Sequence, residues 1–111
     1  MKMKTVAQGK GVENPPGVVR KTLAYNDEAM LCHFTLEKGA KIPLHDHRAT
    51  QIGFVVRGKA KFIAEKSEDE FEGGAGQSYV FSRFVKHGTV ALEETEYVEV
   101  FVPVREEYKD F

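Results

Sequence analysis

The sequence predicts an all-β fold in a single domain, and three observations lead there. Short apolar runs alternate with a period of two, and turn residues interrupt them at the ~8–12-residue spacing of sandwiches and barrels. No stretch carries a three-turn amphipathic helical pattern, which argues against a parallel α/β sheet. The chain has 111 residues, enough for one core. Two cores would each approach the size at which burial stops offsetting chain entropy. Hydrophobic residues make up 41% and charged residues 30%, so a packed core is feasible and wholesale disorder is not expected.

The elements follow in order. Residues 1–17 end in Asn14-Pro15-Pro16-Gly17 and read as an extended arm, either frayed or paired with a second subunit. Residues 18–111 form the domain. Val18 to Tyr25 is rich in β-branched residues and stops at Asn26-Asp27. Met30, Cys32, Phe34 and Leu36 then alternate with His33, Thr35 and Glu37 until Gly39. Gln51 to Arg57 is apolar, Gly58 punctuates it, and Lys59 to Ala64 places Ala60, Phe62 and Ala64 on one parity. The charged Glu65 to Glu70 reads as a hairpin tip and Gly73 to Gly76 as a bend. Ser78 to Phe81, Thr89 to Leu92 and Tyr97 to Val104 complete the strands. This pattern suits a sandwich or a closed barrel.

Composition also removes function classes. With 16 basic and 17 acidic side chains the formal charge is -1, so a nucleic-acid partner is not expected. No apolar run approaches the ~20 residues of a membrane helix, so no membrane role is expected. The basic start, Met1 to Thr5, lacks the apolar segment of a secretory signal. The lone Cys32 cannot form an internal disulfide. A cytoplasmic location is the expectation.

Three of the four histidines fall into one constellation. His45-Asp46-His47 puts two imidazoles on one face if the segment is a strand. Gln51 follows, and His87 comes from a distant strand. Converging neutral imidazoles hold divalent transition metals while leaving positions open. A bare pair of this kind is more often a solvated loop, but here it sits in a frame of glycines. Gly39, His45, His47, Gln51 and Gly58 spell G-x5-H-x-H-x3-Q-x6-G. This closely resembles the first motif of the cupins, whose usual fourth element is Glu. The second cupin motif, G-x5-P-x-G-x2-H-x3-N, lies in register from Gly76 to His87, with Ser82, Phe84 and Ala91 replacing its Pro, Gly and Asn.

The resemblance implies a small antiparallel β-barrel of jelly-roll type holding one divalent metal on His45, His47, Gln51 and His87. Four neutral ligands would leave the full +2 charge in place. That favours anionic ligands, and it favours Ni, Zn, Fe or Co over Mn. The other reading of Gln51 is a hydrogen-bonding barrel residue that never meets the metal.

The last strand carries a second signature. Glu99, Phe101 and Arg105 share a face opposite Val98, Val100 and Val102 if the strand stays regular. The run E-x-F-x-P-x-R resembles the D-x-F-x-P-x-R of small single-domain cupins of the pectin-degrading KdgF type, with Glu99 in place of Asp. That family converts cyclic 4,5-unsaturated uronates to linear keto sugars. Carried over by position, Glu99 would be the acid/base, Phe101 would wall the sugar and Arg105 would hold its carboxylate. The bland alternative for Glu99 and Arg105 is an ion pair at a strand end.

Other residues rank lower. His33 is expected at a rim or surface, and Cys32 as a small buried hydrophobe. Arg48, Arg83 and Lys86 adjoin the motif ligands, as positive potential at the pocket mouth or as solvated side chains. Three functions compete: a metal-dependent enzyme acting on a small anionic molecule such as a uronate, a non-haem iron dioxygenase, and a non-catalytic sugar-acid binder. A homodimer is expected, because so short a chain leaves sheet edges and the valine face of the last strand uncovered.

Overall fold

The fold is that of a computed structural model, described over residues 4–110. The remaining positions of the expected arm, 1–3, and the last of the expected domain, 111, lie outside the described residues. The described residues form ten strands and three short 3-10 turns: β1 Gly11–Glu13, β2 Val18–Tyr25, β3 Met30–Leu36, β4 Lys41–His45 and β5 Thr50–Arg57 in the first half. β6 Lys59–Ala64, β7 Phe71–Gly74, β8 Ser78–Phe81, β9 His87–Ala91 and β10 Thr95–Val102 follow. No described helix is long and apolar enough to cross a membrane.

The strands form two antiparallel sheets, ordered β1-β2-β3-β10-β5-β8 and β4-β9-β6-β7. Among the described residues no ladder joins them, so the expected barrel is a double-sheet jelly roll whose core lies between its faces. Phe62 of the smaller sheet meets Tyr79 and Tyr97 of the larger at centroid separations of 4.3 and 6.1 Å. Cys32 is fully buried in this core, as expected.

Pairing registers arrange the inner face of the larger sheet into rows. One runs Met30, Phe101, Gln51, Phe81. The next runs Thr22, Cys32, Glu99, Gly53, Tyr79. These rows bring Gln51 and Glu99 together from positions 48 residues apart. One row of the outer face is apolar. Leu31, Val100, Ile52 and Val80 are successive cross-strand partners, and Ile52 and Val80 are 51% and 59% exposed.

The glycine frame has a backbone cause. Gly39, Gly58 and Gly76 all lie at φ between +85° and +87°, where a Cβ is disfavoured. At Gly58 a Cβ would also stand 2.2 Å from the Glu94 carbonyl oxygen. Phe84, in a glycine position of the second motif, adopts φ +61° all the same. Its amide donates to the His47 carbonyl at 2.7 Å, which ties the two motif loops together.

Four expectations need correction. The arm is not free of regular structure: Val6–Gln8 forms a capped 3-10 turn, and β1 pairs with β2 of its own chain. Strands β4 and β7 were hidden, the first by Pro43 and the second by its glycines. His45 and His47 do not share a strand face, because β4 ends at His45 and the next two residues leave the ladder. His33 points to the outer face but is only 4% exposed, covered by the Glu96 carboxylate at 2.6 Å.

Candidate metal centre

His45 and His87 come from the smaller sheet, His47 from the loop that follows β4, and Gln51 from the larger sheet. His45, the last residue of β4, pairs with His87, the first of β9. His47 reaches the same point from the loop beyond β4. One potential ligand atom from each of the three lies within 4.8 Å of the others, and this is the one such group among the described residues. Gln51 Oε1 lies 2.9 Å from His47 Nε2 and 3.1 Å from His87 Nε2. Aromatic rings hold the imidazoles in place. Phe81 stacks on His87 with centroids 4.4 Å apart, and Phe101 meets His47 edge-on at 5.8 Å.

Proton placement tests whether these groups suit a cation. His87 is buried and its pKa is pushed down to about 4, mainly by loss of solvent and further by His45, His47 and Arg105. Burial and Arg105 also lower His47. Near pH 7 His87 is therefore neutral, with one ring proton. Its Nδ1 lies 2.8 Å from the Val85 carbonyl, which fixes that proton and leaves a lone pair on Nε2. This lone pair faces Gln51 Oε1, another acceptor. Gln51 cannot turn, because its Nε2 donates to Glu99 Oε2 at 2.5 Å. His45 Nδ1 is likewise 2.9 Å from the Pro43 carbonyl. Acceptors converging on one point, with the outer ring nitrogens of His45 and His87 anchored to carbonyls and His47 Nδ1 buried without a partner, form a donor set that fits a divalent transition metal.

Behind the ligands sits Glu99, 3% exposed. Tyr79 donates its hydroxyl to Glu99 Oε2 at 2.6 Å. Both donors use this one oxygen, so Oε1 is left for other partners. Burial drives the Glu99 carboxyl up to about 7, while the bonds from Tyr79 and Gln51 and the charge of Arg105 pull the other way. The row position makes this contact possible. Gly53 stands between Glu99 and Tyr79, and a Cβ there would lie 2.1 Å from the Tyr79 ring.

Glu99, Phe101 and Arg105 line one small cavity with His45, Gln51 and His87. Arg105 has a buried Nε without a hydrogen-bond partner and stacks over Tyr108 at 4.2 Å. It makes no ion pair with Glu99; its carboxylate neighbour is Glu107, 3.5 Å away. Arg48, Arg83 and Lys86 are exposed. The cavity measures about 20 Å³, room for a water-sized species.

Sequence reasoning missed Tyr79, Gly53, Arg20, Tyr108 and Asp110. Tyr79 shares its inward parity with Phe81, but its link to Glu99 depends on two strand registers. Arg20 left one signal, a charge at the same parity as the inward Val18 and Thr22.

The fold is shared with solved structures of other proteins. An RmlC-like cupin from Shewanella frigidimarina NCIMB 400 is similar at a TM-score of 0.89 and 26% identity, over 97% of this chain and 96% of that one. KdgF from Halomonas sp. is similar at 0.87 and 26% identity, over 96% and 97%. The polyketide cyclase RemF from Streptomyces resistomycificus shares the fold at 0.80 and 21% identity, over 95% and 80%. No curated protein sequence matches the chain. The cupin domain family matches residues 32–103, which spans both histidine motifs and the strand bearing Glu99, and the chain belongs to that family.

Proposed function

We propose that this protein is a metal-dependent enzyme that opens and tautomerises an unsaturated uronate. The observation that carries the reading is Glu99, a buried carboxyl joined through Gln51 to the histidine cluster, with a pKa of about 7 and one free oxygen. A group that titrates near neutrality both takes and returns a proton efficiently. The likeness to KdgF supports the substrate class.

His45, His47, Gln51 and His87 would hold the metal, which when bound supplies Lewis-acid polarisation of a substrate oxygen. Glu99 Oε1 moves the proton while Gln51 and Tyr79 keep the side chain in place. Arg105 offers its unpaired Nε to the substrate carboxylate, and Phe101 packs against the sugar.

The test combines elemental analysis of purified protein with an absorbance assay on unsaturated galacturonate and mannuronate under anaerobic conditions. Loss of the unsaturated chromophore in the metal-loaded protein, and loss of both metal and turnover in His47→Ala, is the expected result. Oxygen consumption by an iron-loaded protein would favour the dioxygenase reading. Binding of sugar acids without turnover would reduce the protein to a binder.

A further inference from the structure

The cavity at the histidines is far smaller than the roughly 300–1,000 Å³ of ordinary ligand sites. Most of its walls are side chains of the two sheets, locked in ladders. Arg105 and Tyr108 are different, because they belong to the segment that follows β10. That segment has one 3-10 turn, Glu106–Tyr108, whose backbone bonds from Tyr108 and Lys109 run to Arg105 and Glu106 within the segment itself. No strand pairing ties it to either sheet among the described residues.

Val104 and Tyr108 pack against the core, Tyr108 edge-on to Phe101 at 5.6 Å, and one inward arginine pins the end of the segment. Arg20 is 6% exposed and donates Nη1 and Nη2 to the Asp110 carboxylate at 2.8 and 2.5 Å. Its guanidinium lies 4.1 Å from the Tyr108 ring centroid, and Arg105 lies 4.2 Å from the same ring. Thr22 adds a bond from Oγ1 to the Tyr108 carbonyl at 2.6 Å, and the Arg105 amide meets Met30 Sδ at 3.4 Å. The Tyr108 ring therefore occupies ground shared by two guanidiniums, and the Asp110 carboxylate occupies one of them.

We propose that residues 104–110 are a strap that shuts the metal cavity, latched by Asp110 on Arg20, and that a carboxylate ligand opens it by taking Asp110's place. The charge on Arg20 dictates the exchange. A buried guanidinium stripped of its anion is costly, so the strap lifts readily only when another anion replaces Asp110. Arg20, which bonds to none of the histidine cluster, becomes a second carboxylate-binding group beside Arg105. The inference rests on the reading of the cavity as a site for an anion, and its test uses no sugar.

Arg105 lies inside the strap, with its side chain 14% exposed, so trypsin cuts after it only when the strap lifts. Cleavage after Arg105, followed by mass spectrometry, is compared in sodium acetate and in sodium chloride of equal ionic strength. An unstructured reporter peptide corrects for effects on trypsin itself. Acetate should accelerate cleavage of the parent; equal rates in the two salts overturn the exchange. Asp110→Asn should be cut about 10- to 100-fold faster than the parent in chloride, the effect of losing a charge-assisted pair, and should gain little from acetate. Resistance equal to the parent's overturns the latch. Val104→Ala trims an apolar strap side chain that packs against the core and takes no part in the ion pair, so it should be cut faster and still respond to acetate; loss of that response counts against Arg20 as the receiving group. Acetate-dependent opening in a protein that turns over no uronate would refute the sugar-acid reading and uphold the strap.

Discussion

Replacing Glu99 with Gln should change how the metal-free protein's stability depends on pH. The carboxyl titrates at an ordinary 4.5 when unfolded and at about 7 in the folded protein. Below pH 4.5 it is protonated in both states and imposes no electrostatic penalty. Between the two values the folded state holds a proton that the unfolded state has released, so stability falls as pH rises. Above pH 7 both states are ionised and the penalty is complete. At ~1.36 kcal/mol per pH unit this penalty is about 3 kcal/mol. His87 works in the opposite sense. Its folded pKa, about 4, lies below the ordinary 6.5, so its contribution is lost as pH falls through that interval. In the parent the two slopes largely cancel between pH 4.5 and 6.5. The amide introduced by Glu99→Gln keeps an acceptor for Tyr79 and Gln51 but cannot ionise. Urea unfolding with chelator present should therefore show the variant gaining on the parent by about 3 kcal/mol between pH 4.5 and pH 8. A difference between the two proteins that stays constant over this range would refute the claim that Glu99 is held protonated by burial.

Four further outcomes are expected. Gly53→Ala forces the Tyr79 ring off Glu99, because the new Cβ would stand 2.1 Å from it, and should cost ~1–3 kcal/mol of stability by thermal unfolding; an unchanged midpoint would show that Tyr79 moves freely. Arg105→Ala should weaken sugar-acid binding by ~1.5–3 kcal/mol in calorimetry while leaving metal content at the parent value; undiminished affinity would make Arg105 structural. Phe84→Gly relieves a left-handed conformation at a site where the ring is 63% exposed, and should stabilise the fold by ~0.5–1 kcal/mol in denaturant titrations. The homodimer expected from the sequence would use the apolar outer row, so light scattering should find a dimer for the parent and a monomer for Ile52→Glu; a monomeric parent removes the expectation.

Much of this protein is legible in its sequence because local rules govern it. Alternation from Met30 to Leu36 follows from side chains pointing to opposite faces of a strand, and the structure has that strand at those residues. The glycines at 39, 58 and 76 mark positions of positive φ, a property of the single residue. His45, His47, Gln51 and His87 are legible as a candidate set through the resemblance of their glycine frame to the cupin motifs, before any contact is known. Tertiary structure decided the rest. His47 joins His45 through a loop that leaves its ladder, although period-two reasoning puts both on one strand face. Tyr79 reaches Glu99 only because two registers place Gly53 between them, and register belongs to pairs of strands. The pKa of Glu99 comes from burial by residues distant in sequence. Arg20 and Asp110, 90 positions apart, meet because β2 and the segment after β10 close over one cavity, and no spacing along the chain encodes that.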